Sequence, residues 1–115
     1  MRRGQIRLVD LEPARGSEAS RKRPCVIVSN DHANRTATRL GRGVVTVVPV
    51  TSNVAVVYRF QVLLEPGVTG LPHGSKAHAE QVRSVDVERV GGQVGDLDFA
   101  ALAAIDDALR VHLSL

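Results

Sequence analysis

The stretch "GVVTVVPVTS", residues 43–52, decides how this chain is read. Its β-branched residues favour a pleated, packed surface, so Gly43–Val50 reads as a strand. Pro49 lacks a ladder donor, and pairing should fail on that side near the strand's end, where Thr51, Ser52 and Asn53 emerge. Upstream, "SRKRPCVIVSND" (20–31) holds a second apolar run, and Pro24–Ser29 reads as a short strand buried on both faces. Pro24 pushes the preceding residue toward extended geometry, so Arg23 should lie along the strand direction. The cations Arg21, Lys22 and Arg23 cannot follow the run into a core.

Further out, Gln5–Asp10 alternates weakly through Ile6 and Leu8 and reads as a first strand. Leu11–Arg23, with Pro13 and Gly16, is a long loop. Asn30–Asn34 reads as a turn or a single helical turn, and Arg35–Gly43 as a second polar, basic loop. Downstream, Val54–Leu64 gives one or two strands, Pro66–Ser75 is loop, and Lys76–Val82 is a strand. In that strand Ala77, Ala79 and Gln81 share one face, and His78, Glu80 and Val82 the other. Val85–Val94 is a short connecting segment. Leu102, Ile105, Leu109 and Leu113 then make one stripe of a helix over Leu97–Leu113, with Asp96 or Asp98 as its cap and Arg110 and His112 suiting its C-terminal dipole. Five to seven short strands and one C-terminal amphipathic helix describe a mainly β fold, a small barrel flanked by a helix.

A chain of 115 residues supports one core, so residues 1–115 are expected to form a single domain. Aromatic residues are only 3%, too few for a protein that binds single strands by stacking bases. Charge is unevenly distributed. Residues 1–42 hold ten Arg or Lys against four acids, whereas residues 43–115 hold five against eight. That asymmetry suits a polyanion site built by the N-terminal half, and equally a solvated surface. Cys25 lies in an apolar run and reads as a small buried hydrophobe rather than a nucleophile. No apolar run approaches the ~18 residues of a membrane span, and a cytoplasmic, soluble protein is expected.

The residues that can do chemistry are few. His32, His73, His78 and His112 show no ligand spacing and read as ordinary surface histidines. No phosphate-binding glycine loop is present. RNA can be cleaved without a metal by its own 2′-hydroxyl, provided the protein neutralises charge on the phosphoryl oxygens and manages two protons. Arg23, set by Pro24, and Thr51–Ser52, at a strand end broken by Pro49, have suitable chemistry. Taken alone, Thr51 also reads as a turn residue and Arg23 as a solvated flank.

The order of motifs resembles the MazF/PemK family of toxin endoribonucleases of type II toxin–antitoxin systems. It is carried by "RGQIRLVDLEPARGSE" (3–18), "RPCVIVSND" (23–31), "VVPVTS" (47–52), "FQVLL" (60–64), "GL" (70–71), "AEQVRSVDVERV" (79–90) and "IDDALRVHLSL" (105–115). The resemblance implies an SH3-like barrel, shared with the CcdB gyrase poisons, and a homodimer that needs no cofactor. It implies metal-independent cleavage of single-stranded RNA at short sequences, leaving 2′,3′-cyclic phosphate and 5′-hydroxyl ends, restrained by a MazE-like antitoxin. It points to no membrane partner and, for the toxin alone, no DNA. By the same resemblance Arg23 is the transition-state clamp, Thr51 positions the scissile phosphate, and Glu18 is catalytic or supportive. Arg21, Lys22, Asn30, Ser52, Gln81 and Arg83 are the expected RNA contacts. The chain departs from the pattern at Gln5 and at Arg7, where relatives carry an acid and an aromatic residue. One branch has an Arg and an Asp, proposed as acid and base, where this chain has His78 and Glu80, so the Arg23–Thr51 version is favoured. The rivals are a non-enzymatic poison of a protein such as gyrase, and a silent RNA-binding barrel.

Overall fold

The computed structural model describes residues 1–115, apart from the Val68 side chain. The valine-rich strand is its axis: β3 (Val44–Thr51) pairs with three neighbours, β2 (Lys22–Ile27), β5 (Ser75–His78) and β6 (Arg83–Asp86). β2 continues to β1 (Gln5–Asp10) and β1 to β7 (Val90–Asp96), while β5 continues to β4 (Gln61–Leu64). Every pairing is antiparallel, in the order β4-β5-β3-β2-β1-β7 with β6 beside the first half of β3. The strands wrap into a barrel-like sheet whose path does not close, leaving β4 and β7 at its ends.

Of the strand expected at 24–29, Cys25, Val26 and Ile27 are buried on both faces, whereas Pro24, Val28 and Ser29 are half-buried and the strand spans Lys22–Ile27. Val26, Val48 and Val50 enter one cluster with Ile6, Leu64 and Ile105; Cys25, Ile27, Val45 and Val47 enter another with Val9, Leu11 and Val85. Each fully buried Val or Ile contributes roughly 1.5–3 kcal/mol, which lets aliphatic residues build the core almost without aromatics.

The two prolines stop one ladder at the same end. Pairing of β2 with β3 runs from Ile27↔Val47 to Cys25↔Pro49 and goes no further. Neither Pro24 nor Pro49 has an N–H to extend it. On its other edge β3 changes partner here: residues 44–47 pair with β6, whereas Val50 and Thr51 pair with β5. The same register, carried two pairs beyond the break, would set Arg23 across from Thr51, and both residues line the cleft that opens there.

Helix α3 (Phe99–Leu113) begins where expected, with the Asp98 carboxylate accepting from the Ala101 N–H at 2.8 Å. Its buried stripe is shorter than the periodicity suggests. Ile105 and Ala108 are buried, but Leu113 is 49% exposed because the last turn runs past the sheet. The segment expected to be a turn and a basic loop is instead helix α1 (Asp31–Leu40), with Asn30 as N-cap and Gly41 in the left-handed conformation closing it. A short helix α2 (Pro66–Thr69) lies in the expected loop at 66–75. Of Val54–Leu64 only Gln61–Leu64 is strand. The expected strand at 76–82 ends at His78 and turns through a 3₁₀ segment, Ala79–Gln81. Residues 85–94 hold the end of β6, a 3₁₀ turn (Val87–Arg89) and most of β7. Among the described residues no helix is long and apolar enough to cross a membrane.

Candidate active site

Where the β2–β3 ladder stops, the strands part and a cleft of about 220 Å³ opens. Lys22, Arg23 and Pro24 form one wall, Val50, Thr51 and Ser52 another, and His73 reaches its rim from the loop before β5. Arg23 sits in β2 opposite Val9, and its Nε donates to the Ser20 carbonyl at 2.8 Å. That bond fixes the plane of the guanidinium. Among the described residues its two terminal nitrogens have no partner, so a fork suited to a phosphate's paired oxygens is left available. Arg21 takes a left-handed backbone, φ 67°, that turns the chain into β2, and its N–H donates to Glu12 Oε1 at 2.7 Å.

Thr51 faces this fork at the end of β3, opposite Lys76 of β5. Its Oγ1 lies 2.8 Å from His78 Nε2. The other ring nitrogen, Nδ1, lies 3.3 Å from both Glu80 Oε1 and Gln61 Nε2, and Gln61 Nε2 donates to Glu80 Oε2 at 2.6 Å. Gln61 is held in that orientation because its Oε1 accepts from the Tyr58 N–H. Glu80 Oε1 is buried and has no other donor. An unmatched buried carboxylate oxygen is costly, and placing the imidazole proton on Nδ1 gives Glu80 Oε1 its donor at 3.3 Å; in that tautomer Nε2 accepts from the threonine hydroxyl. Burial pushes the His78 pKa below its ordinary value, against the opposing pull of Glu80, and Lys76 pushes the same way as burial. The imidazole is therefore neutral at neutral pH. Reading His78 as a surface histidine is corrected: its side chain is only 13% exposed. Strand alternation alone gave no sign of this, since the partner that buries it, Gln61, comes from β4 across the pair Gln61↔His78.

A second, larger cavity of about 720 Å³ lies beyond Glu80, between the β1–β2 loop and the start of β6. It gathers Glu18, Gln81 and Arg83 with Arg15, and shares no wall with the Arg23–Thr51 cleft. Most of its polar groups already hold the loop: Gln81 Oε1 accepts from the Ala19 N–H at 2.5 Å, and Arg83 reaches the Leu11 carbonyl at 3.5 Å. Glu18 Oε1 accepts from the Arg15 N–H. Asn30 lies at the opposite end of β2 from Arg23, and its side chain caps α1. The basic N-terminal half is not one patch either, because Arg2 and Arg3 pair with Asp96 and Asp106. Cys25 is buried between the sheets, its thiol pushed up to about 12 by burial.

An open antiparallel barrel flanked by a C-terminal helix, with a basic, proline-broken edge where an arginine and a threonine line one cleft, defines a class of small β proteins. The sequence model of PemK-like, MazF-like toxins of type II toxin–antitoxin systems matches residues 2–113, and the chain belongs to that family. It is 62% identical over 115 residues to endoribonuclease MazF9 of Mycobacterium tuberculosis, covering 100% of this chain and 98% of the relative. It is 30% identical over 115 residues to endoribonuclease MazF of Staphylococcus epidermidis, covering 100% and 92%. Two solved structures share the fold: MazF from Deinococcus radiodurans (TM-score 0.80, 24% identity, covering 100% and 97%) and an endoribonuclease in complex with its cognate antitoxin from a mycobacterial species (TM-score 0.78, 23% identity, covering 100% and 96%).

Proposed function

We propose that this toxin is an endoribonuclease that cuts single-stranded RNA at short sequences without a metal ion, by attack of the substrate's own 2′-hydroxyl on the adjacent phosphorus. The O2′–P bond forms as the P–O5′ bond breaks, giving 2′,3′-cyclic phosphate and 5′-hydroxyl ends. Arg23 clamps the phosphoryl oxygens as negative charge grows on them. Thr51 positions the reacting group, while Lys22, Ser52 and Arg21 hold the backbone on either side. Glu18, Gln81 and Arg83 act at the neighbouring cavity, on flanking nucleotides or by shaping the loop. Asn30 has no part in this reading, because its side chain caps a helix at the far end of β2. The protein works as a cytoplasmic homodimer and is silenced by an antitoxin.

The observation that supports the reading is that Arg23 and Thr51, picked out from separate sequence motifs, line one cleft just beyond the two prolines that end the ladder. Curated relatives matched over their whole length are named endoribonucleases, which supports the same reading. The test is end-labelled RNA incubated with purified protein in excess EDTA, beside Arg23→Ala and Thr51→Ala. Discrete cuts with cyclic-phosphate ends, lost in both variants, are expected. Intact RNA would turn attention to a poison of gyrase or a silent RNA binder.

A further inference from the structure

Thr51 is not free in how it uses its hydroxyl. With the imidazole proton assigned to Nδ1, the threonine hydroxyl donates to His78 Nε2, 2.8 Å away, and the ring is flanked from behind by the Glu80 carboxylate and the Gln61 amide. The oxygen's lone pairs are therefore what it presents to the cleft that also holds the Arg23 fork. A donor there would compete with Arg23 for the phosphate. An acceptor serves the attacking hydroxyl instead.

We infer that His78, backed by Glu80, is a positioning residue for RNA cleavage, holding the Thr51 proton so that Oγ1 accepts from the attacking 2′-hydroxyl. The inference rests on the reading of this cleft as the cleavage site. As the O2′–P bond forms, the 2′-hydroxyl proton passes to Thr51 Oγ1 and the threonine proton to His78 Nε2. The departing 5′ oxygen takes a proton from solvent water, and the hydroxide left behind recovers one from the imidazolium through Thr51. Glu80 stabilises the imidazolium while it exists.

A protonated His78 reverses the arrangement. Nε2–H then donates to Oγ1, the threonine hydrogen swings toward the cleft, and the acceptor is lost. The charged groups around the ring are Glu80 after β5, Lys76 on the same strand and Arg23 on β2; Gln61 on β4 and Thr51 on β3 are neutral. Burial and the two cations keep the ring uncharged, so the inactive form is confined to acid pH.

The test is single-turnover cleavage of a long transcribed RNA by the full chain in EDTA, followed from about pH 5 to pH 8. For the wild type, kcat falls at acid pH, on a limb lying below the ordinary histidine value of ~6.5. His78→Ala lowers kcat by about 10²-fold, the scale of a misplaced reacting group, with KM unchanged. His78→Gln keeps a neutral acceptor toward Thr51, so it retains part of the rate and loses the acidic limb. In Glu80→Gln the limb moves to lower pH, because the carboxylate that favours the imidazolium is gone. A wild-type limb persisting in His78→Gln, or an unchanged kcat in His78→Ala, overturns the inference while leaving the RNA-cleaving site intact. Failure of the wild type to cut RNA overturns both. If His78→Ala loses its circular-dichroism signature, the Gln variant decides.

Discussion

The two cavities on this face differ in what holds their walls. The smaller is framed by strand ends: Arg23 is paired to Val9, Thr51 to Lys76, and the break between them is set by two prolines. The larger is framed on one side by a loop, and most of the polar groups lining it are engaged in holding that loop. Size therefore points away from chemistry here. In the space of about 720 Å³ Gln81, Glu18 and Arg83 are tied to the loop, while the space of about 220 Å³ is lined by an open guanidinium fork and a threonine hydroxyl bonded to His78. Reactions need preorganised groups, and preorganisation comes from paired backbone.

The sharpest way to break this contrast is Arg23→Ala. Cleavage should fall by about 10²–10³-fold, the usual effect of losing one transition-state donor, with the thermal midpoint nearly unchanged. Arg23→Lys should recover little, because a point charge cannot span two phosphoryl oxygens. A variant that keeps wild-type cleavage would move the chemistry elsewhere, with the larger cavity as the first place to look.

Next in size is the loop anchor. Gln81→Ala removes two bonds to the β1–β2 loop, at the Ala19 N–H and the Ser17 carbonyl. It should destabilise the fold by about 1–3 kcal/mol and raise KM more than it lowers kcat. Hydrogen exchange at the Ala19 amide should speed up. A pure loss of kcat would give the second cavity a chemical role it is not assigned here.

Stability should carry the mark of the smaller cleft as well. His78 has a folded pKa below its unfolded value, so the unfolded chain binds the proton more readily. Its contribution is fully present above ~6.5 and is lost as pH falls toward the folded pKa. The thermal midpoint of the wild type should drop over that window, and that of His78→Gln should drop less. Equal slopes would mean that the ring is not buried neutral. The smallest effect is reserved for Glu18→Ala. The residue is exposed and holds its own turn, so cleavage should change by only a few-fold. A loss as large as that of Arg23→Ala would join the two cavities into one site.

What the residues disclose in advance follows the range of the interaction. Strand composition and the two prolines act locally, so β2, β3 and the failure of pairing at Pro49 could be anticipated from them, whereas the meeting of Arg23 and Thr51 at one cleft depends on how β2 and β3 pair. Helix α1 is as local but was hidden by its polarity, since only Asn34 and Ala37 are buried on it. Its true signals were terminal: Asn30 as cap, Asp31 in the first turn and Gly41 at the close. The surroundings of His78 were not legible from the residues, although the family resemblance marks its position. They depend on Gln61 from β4, on Thr51 from β3, and on a 3₁₀ turn that replaces the expected strand after His78 and carries Glu80. The stripe on α3 overreached for a similar reason: periodicity says which face is apolar, while the sheet's edge decides how far it is covered, leaving Leu113 exposed.

One regularity among the loop anchors bears on how such a protein can change over generations. Gln81 holds the Ala19 amide and the Ser17 carbonyl, Arg83 the Leu11 carbonyl, and Arg89 the carbonyls of Asp10 and Glu12. Across the cleft, the buried Lys76 ammonium donates to the Val56 carbonyl at 2.6 Å, and Gln61 accepts from the Tyr58 amide. Every one of these grips takes hold of main chain. The gripping side chains sit on or beside the strands, and they hold the loops by backbone rather than by the gripped side chains, of which only Leu11 is in the core. Substitutions in 13–20 and 53–59 can therefore accumulate without loosening the frame. The frame of the barrel and the loops over its clefts can vary independently of each other.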